Sequence, residues 1–458
     1  MPNISALSTS APLRYSTFGA LYFAQGIPQG LQLYAIPAWM AMNGADALAV
    51  GGYVAVCTLP WTFKIVAGPL MDRYSFLAMG RRRPWLLGAQ LGLLIMMLLM
   101  AFVPDPLNNM TLFMSVSFVL NCFGAFQDVA TDGLAVDITP IDEQARANGV
   151  MWGSKVISIG VTLTVGTWLI NTYGFQFAVV SLAAAMLLLM VVPSLLRERE
   201  GERLLPWTNG AASPETLGMK AETWREIIYT LKSAFLLRNS LIGALCMLLW
   251  GTVVGLKDAM APLFTIQEMG WNNSEYADLV ASANVLGALA AIVLAGWLAD
   301  RVGKVRIMSI YLLLMVIAWV ALAFTSAYWS APGYFGGFIY TLQFLETFGY
   351  VALFAMAMNL CWSRVAATQF TFYMVCGNMG LVIGAMMLGP LRTQLDWSGM
   401  FLVLASLLIA AALSFRFISS GIHLTALGQL EADFVAKNGG AAVPAPVVPS
   451  DLGEGLVS

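Results

Sequence analysis

Long apolar segments recur along the chain from Tyr15 to Phe417, and short polar turns separate most of them. A bilayer core of about 30 Å requires about 20 helical residues to cross it, and the segments have that length. They predict twelve membrane helices, at residues 15–41, 47–72, 84–103, 110–138, 146–170, 174–196, 238–267, 275–301, 304–327, 332–362, 369–392 and 398–419. We therefore expect an all-α membrane protein.

The polar stretches divide the chain into four parts. Residues 1–196 form an N-terminal six-helix half, 197–237 a cytoplasmic linker, 238–419 a C-terminal six-helix half and 420–458 a cytoplasmic tail. In the linker, Trp224, Ile228 and Phe235 recur at helical spacing, which is typical of an amphipathic helix on the membrane surface. Residues 439–458 are rich in Gly, Ala, Pro and Val without a period, so we expect the tail to be largely disordered.

Composition agrees with a membrane protein and excludes a soluble one. Hydrophobic residues make up 59% of the 458 residues and charged residues only 10%, less than half the fraction usual in a soluble domain. The formal net charge of −2 gives no reason to expect a nucleic-acid partner. The five cysteines lie in apolar segments without a CxxC pair, so no metal or other cofactor is expected. Residues 1–13 hold no Lys or Arg, so we expect no cleaved signal peptide.

Basic residues indicate the orientation. Lys and Arg in short loops are retained in the cytoplasm. The basic residues of the loops fall on one side of the predicted membrane, and the opposite loops hold only Arg392. Both termini are therefore predicted to be cytoplasmic, which agrees with an even number of helices.

A short motif occurs at the same place in both halves. Gly68-x-x-x-Asp72-Arg73 lies between the second and third helices, and Gly296-x-x-x-Asp300-Arg301 lies between the eighth and ninth. The glycine permits close helix approach, and the aspartate can accept hydrogen bonds from helix ends and basic side chains. The spacing indicates a duplicated six-helix unit.

This motif pair resembles the signature of the major facilitator superfamily. The resemblance covers nearly the whole chain and implies two six-helix halves around a central cavity. It also implies that the motif gates the cytoplasmic side. We expect that role for Gly68, Asp72, Arg73, Gly296, Asp300 and Arg301.

Seven ionisable residues lie well inside the predicted helices, where each costs several kcal/mol unless it pairs or faces water. They are Lys64, Asp128, Asp132, Lys155, Lys257, Asp258 and Glu346. Polar residues concentrate on helices one, four, seven and ten, which line the cavity in the resembled superfamily. The uncharged ones are Gln25, Gln29, Gln32, Gln127 and Gln343.

Two interpretations of these residues remain open. In the functional one, Gln25, Gln29, Lys64, Gln127, Lys155, Lys257 and Gln343 bind a solute, and Asp128, Asp132, Asp258 and Glu346 couple protons. In the structural one, Lys64 pairs with Asp128 and Lys155 with Asp132, and the pairs hold the helices together. Glu346 has no basic partner within a turn of its own helix. Asp128 and Asp132, at i and i+4, disfavour double ionisation, so one of them could carry a proton.

Several segments narrow the resemblance to one branch. They are Tyr22-Phe23-Ala24-Gln25-Gly26-Ile27-Pro28, Gln127-Asp128 with Asp132, Lys257-Asp258-Ala259, and Ala367-Thr368-Gln369-Phe370. They resemble the AmpG-type muropeptide permeases and the acetyl-CoA transporters. This implies a proton-coupled importer of a large polar solute, with an anhydro-muropeptide as the first candidate and a siderophore or acyl-CoA as the alternative. We expect a monomer in the bacterial inner membrane, with a small-molecule solute, protons and the lipid bilayer as partners.

Two other classes of protein fit the sequence less well. A membrane-bound enzyme would need a nucleophile with an adjacent base, a metal-ligand cluster or a nucleotide-binding loop, and the sequence has none of these patterns; the only histidine, His423, follows the last helix. We therefore expect no enzymatic activity. A transporter-like sensor that moves no solute would have the same fold, and only a flux measurement separates it from a carrier.

Overall fold

The computed structural model describes residues 6–140, 143–218, 235, 237–290, 304–362, 366–418 and 420–438. Within these ranges the regular structure is helical, apart from one isolated parallel bridge between Ala6 and Arg197. Residues 219–234, which hold most of the predicted amphipathic helix, and residues 439–458 of the tail lie outside the described residues.

The first six helices have ends close to those predicted. The first runs over Ala11–Gly30, passes through a π-helical turn at Leu31–Ala35 and ends as Ile36–Met42. The second comprises Ala47–Thr58, a 3-10 segment at Leu59–Phe63, and Lys64–Arg73. The third to sixth are Arg83–Ala101, Met110–Ile138, Gln144–Tyr173 and Phe175–Ser194.

The remaining helices follow the same order. The seventh runs over Arg238–Leu263 and a π-helical turn at Phe264–Glu268, and the eighth is described over Asn273–Ala290. The ninth to twelfth are Lys304–Phe324, Pro332–Asn359, Ala366–Arg392 and Trp397–Phe415. Among the described residues, ten helices are long and apolar enough to cross a membrane. The other two predicted spans are the first helix, which contains the π-helical turn, and the eighth, which is described only over Asn273–Ala290. The helical structure and these long apolar helices confirm the predicted all-α membrane architecture.

The chain divides into two compact units. One contains Met1–Glu222 and Ala261–Val285, and the other contains Thr223–Met260 and Leu286–Ser458. The end of the seventh helix and the start of the eighth therefore pack with the first six helices. There the Gln267 amide donates to the carbonyls of Ala41 and Ala45 at 3.0 and 2.9 Å, and the Asn171 and Asn273 amides exchange hydrogen bonds of 2.8 and 2.9 Å.

Glycines set the closest helix approach in each unit. A Cβ on Gly26 in the first helix would lie 2.5 Å from the Cβ of Ser158 in the fifth. In the other unit, a Cβ on Gly384 in the eleventh helix would lie 2.1 Å from the carbonyl oxygen of Thr252 in the seventh. Small residues let membrane helices approach backbone to backbone, and at these two positions the approach leaves no room for a side chain.

The first part of the linker, residues 197–218, is folded onto the first unit. The Arg203 backbone N–H donates to the Ala78 carbonyl at 2.7 Å, in the turn between the second and third helices. The Glu198 carboxylate, fully buried, accepts from the backbone N–H groups of Arg82 and Arg83 at 3.2 and 3.4 Å. Burial raises the pKa of Glu198, and the nearby Glu202 raises it further.

Arg83 joins the linker to the sixth helix. Its buried guanidinium donates to the carbonyls of Pro193, Ser194 and Arg203 at 3.1, 3.0 and 3.2 Å. Three carbonyl acceptors compensate the desolvation of a buried cation. The linker therefore adds buried polar structure to this end of the unit.

Ser420–Asn438, in the first part of the predicted tail, form a helix, and residues 439–458, on which the expectation of disorder rests, lie outside the described residues. The helix packs on the turn between the tenth and eleventh helices. Leu427 contacts Trp362, whose indole N–H donates to the Glu431 carboxylate at 2.9 Å, and His423 Nε2 lies 3.1 Å from the Leu360 carbonyl oxygen. These contacts have high sequence separation, so composition at the chain end does not reveal them.

Candidate functional site

Three polar residues from three other helices of the first unit meet at Asp128 of the fourth helix. This carboxylate, 3% exposed, forms an ion pair with Lys64 of the second helix. The Gln25 amide donates to it at 2.5 Å, and the Lys155 ammonium lies 3.9 Å from the same oxygen. The predicted pair of Lys64 with Asp128 is present. We call Gln25, Lys64, Asp128 and Lys155, with Tyr22 and Asp132, the N-terminal cluster.

Asp132 lies one helical turn from Asp128 and has a different environment. It accepts a hydrogen bond from the Tyr22 hydroxyl, and it is exposed whereas Asp128 is buried. Among the described residues it forms no ion pair, so the alternative pairing of Lys155 with Asp132 is wrong. Lys155 points instead towards Asp128, which leaves Asp132 as the carboxylate of the cluster without a cation in contact.

A second cluster lies in the other unit. The Lys257 ammonium lies 2.5 Å from a carboxylate oxygen of Glu346 in the tenth helix and 3.0 Å from Asp258. The Glu346 side chain is 6% exposed and that of Asp258 22% exposed. The partner that Glu346 lacks on its own helix therefore comes from the seventh helix. Lys257, Asp258 and Glu346 form the C-terminal cluster.

The other predicted glutamines have separate surroundings. The Gln127 amide donates to the Leu21 carbonyl at 3.2 Å, and Gln32 accepts from the Asn121 amide. The amide oxygens of Gln25, Gln29 and Gln127 are buried and have no hydrogen-bond partner within the described structure. Gln343 is half-buried on the tenth helix. Buried acceptors without donors are expected where a polar ligand or water supplies the donor.

The gating motif is described only in part. Gly68 and Arg73 lie in the second half of the second helix, and Arg73 is exposed with its guanidinium 5.9 Å from the Tyr74 ring centroid. The backbone of Asp72 belongs to the same helix. Gly296, Asp300 and Arg301 lie outside the described residues.

Sequence reasoning missed several residues at these places. Tyr22, whose hydroxyl contacts Asp132, is not among the site residues predicted from sequence. Asp137, at the end of the fourth helix, accepts from Arg82 Nε at 3.1 Å and was not singled out. Its position five residues beyond Asp132, at the end of the fourth helix on the same predicted side of the membrane as the basic run at residues 81–83, was the available signal.

The chain also matches known proteins. A model of the Major Facilitator Superfamily matches residues 18–385 and 259–425. The "Anhydromuropeptide permease" of Escherichia coli strain K12 is 23% identical over 83% of this chain and 75% of its own length. "Putative transporter AmpG 3" of Rickettsia prowazekii is 24% identical over 77% of this chain and 83% of its own. A crystal structure of the nucleoside transporter NupG has a TM-score of 0.67 at 12% identity, covering 88% of this chain and 98% of that one.

The fold and the charged clusters within apolar helices define a multi-pass membrane transporter. The chain belongs to the major facilitator superfamily, as its match over most of its length shows. Its curated relatives include AmpG-type permeases, at low identity.

Proposed function

We propose that the chain imports a large polar, anionic solute of the anhydro-muropeptide class, coupled to protons, across a bacterial inner membrane, with both termini in the cytoplasm. The names of the relatives support the solute class. The observation that carries the proposal is the N-terminal cluster, in which two lysines share one buried carboxylate.

The sharing leaves Lys155 available to a solute. Lys64 is in contact with Asp128, whereas Lys155 is at 3.9 Å, beyond hydrogen-bond distance. A carboxylate on the solute can therefore recruit Lys155 without leaving Asp128 unpaired. Charge-assisted hydrogen bonds of this kind are among the strongest that a polar solute can form. The unpartnered oxygens of Gln25, Gln29 and Gln127 would accept hydrogen bonds from its N–H and O–H groups.

We assign the proton of the first unit to Asp132. It is exposed, it contacts Tyr22 and, within the described part of the chain, no cation, and it shares a helix face with Asp128. When a solute engages Lys155, less positive charge compensates the two aspartates, and uptake of a proton by Asp132 would restore the balance. Glu346 and Asp258 would serve the second unit in the same way, and the motif at Asp72, Arg73, Asp300 and Arg301 would gate the cytoplasmic side.

Uptake of labelled anhydro-muropeptide into right-side-out and inverted vesicles, with and without a pH gradient, tests the proposal. Gradient-driven uptake by the native chain should be lost in Lys155→Ala. In Asp132→Asn, gradient-driven accumulation should be lost while exchange of solute without a gradient remains. Asp105→Asn, in an exposed turn, is the matched control. If the correctly inserted native chain takes up no muropeptide, this solute is wrong, and siderophores and acyl-CoA are tested next. Binding without flux would identify a sensor.

A further inference from the structure

The second helix changes its geometry next to the N-terminal cluster. Leu59–Phe63 form a 3-10 segment with Pro60 near its start, and Lys64 follows directly. Side chains at i and i+3 of a 3-10 helix eclipse one another. Trp61 and Lys64 have this spacing, and the Lys64 ammonium lies 4.6 Å from the centroid of the Trp61 ring.

The Trp61 indole is held from its other end. Its N–H donates to the Asn121 side-chain oxygen at 3.1 Å, and the Asn121 amide donates to Gln32 and to the Ser117 carbonyl. Asn121 and Gln32 are buried. The ring therefore has a defined orientation between the two lysines, and Trp61 is a positioning residue for their ammonium groups.

Lys155 is surrounded by aromatic rings. Its ammonium lies 5.4 Å from the Trp61 centroid, 5.7 Å from that of Tyr22 and 5.3 Å from that of Trp152. Each distance lies within the range of a cation–π contact, which stabilises an ammonium without neutralising it. The three rings therefore surround the Lys155 ammonium and limit the orientations it can take.

One ring of this cage is open. Trp152 is 50% exposed, whereas Tyr22 is buried and Trp61 half-buried. Asp132 is exposed as well, so the N-terminal cluster has an exposed carboxylate and, beside the buried Lys155, an exposed aromatic face. Such a face offers apolar contact area at a low entropy cost, and the adjacent cation fixes the orientation of what binds.

We propose that Trp152 and Lys155 form a subsite for a saccharide that carries a carboxylate-bearing chain. The apolar C–H face of the sugar ring stacks on the Trp152 indole, and Lys155 binds a carboxylate of the attached chain. This inference rests on the proposed function and deepens it, because it assigns the sugar and the charged chain of one solute to neighbouring side chains. Neither Trp152 nor Trp61 belongs to the site residues predicted from sequence.

Binding to the purified full-length chain in lipid nanodiscs tests the subsite. Isothermal titration would use two probes, an anhydro-muropeptide and its free peptide without the sugar. Trp152→Leu and Trp152→Met remove the aromatic face, Trp152→Phe keeps a smaller one, and Trp168→Leu is the matched control. Trp168 lies on the same helix and is 53% exposed, but its ring contacts Tyr173.

Trp152→Leu and Trp152→Met should weaken muropeptide binding about tenfold and leave free-peptide binding unchanged. Trp152→Phe should lose about threefold or less, and Lys155→Ala should weaken both probes. The subsite is overturned if the Trp152 variants weaken both probes equally, or have no more effect than Trp168→Leu, as a lipid-facing ring would. If the native chain binds neither probe, the proposed function itself fails, and that result is separate because it needs no variant.

Discussion

The C-terminal cluster allows the structural and functional interpretations of the intramembrane charges to be separated by replacing Lys257 with Met. The substitution removes the cation that lies 2.5 Å from Glu346 and 3.0 Å from Asp258. Removing one partner of a buried ion pair costs about 3–5 kcal/mol, because the other charge stays buried without compensation. Asp258 is 22% exposed and retains some hydration, so the cost falls mainly on Glu346.

The cost has an upper limit that depends on pH. An uncompensated carboxylate can take up a proton, which at pH 7 costs about 3.7 kcal/mol for a carboxyl with the reference pKa of about 4.3. At pH 5 the same proton costs about 1 kcal/mol. Lys257→Met should therefore lower the free energy of unfolding by about 3 kcal/mol at pH 7 and by about 1 kcal/mol at pH 5.

The double variant Lys257→Met/Glu346→Gln should recover most of the lost stability, because no buried carboxylate is left without a cation except the partly hydrated Asp258. Unfolding in sodium dodecyl sulfate, followed at pH 5 and pH 7, measures both variants, and vesicle uptake measures their transport. A stability loss that does not change with pH would refute the electrostatic reasoning. If the double variant regained transport together with stability, the cluster would be a structural pair and Glu346 would not couple protons.

Three further predictions concern packing and the folded linker. Gly384→Ala should lower the free energy of unfolding by about 1–3 kcal/mol or more, because its Cβ would lie 2.1 Å from a backbone oxygen. Gly377→Ala, whose Cβ would lie 3.8 Å from its nearest neighbour, should be neutral or slightly stabilising in the same denaturation assay. Equal losses in the two variants would contradict the close helix approach. Burial raises the pKa of Glu198, so the folded chain retains this proton to higher pH than the unfolded chain does. As the pH rises above the ordinary glutamate pKa of 4.5, the melting temperature of the native chain should therefore fall relative to that of Glu198→Gln. Parallel pH profiles for the two proteins would oppose this. Arg83→Lys keeps the charge, but a lysine cannot reach all three carbonyls. The variant should therefore lower the free energy of unfolding by about 2 kcal/mol and speed tryptic cleavage within residues 197–218. Unchanged cleavage would show that the linker does not depend on Arg83.

The positions of the membrane helices follow from local sequence. The fourth helix begins and ends at residues 110 and 138 both in the prediction and in the structure. Within a bilayer every backbone polar group must be satisfied inside its own segment, so a long apolar run has only the helix available to it. Irregularities within a helix are less visible, as the 3-10 segment at Leu59–Phe63 shows, because Pro60 allows several local geometries.

Folded structure outside the apolar runs was predictable only in part. The helix at residues 420–438 is stabilised by contacts with Trp362 and Leu360, and the linker by Arg82 and Arg83. These partners lie far away in sequence. Local composition therefore described both segments only as polar, although their packing is specific.

The sequence by itself determined which residues are chemically unusual, because a charge in an apolar segment is costly wherever the helix lies. Lys64, Asp128 and Glu346 were recognisable on that ground alone. Only the tertiary structure decided their partners. Two lysines share Asp128, Asp132 contacts Tyr22, and Lys257 lies between two carboxylates. Pairing depends on helix rotation and on the approach allowed at residues such as Gly26, and these are set by packing between helices rather than by the spacing of residues along one helix.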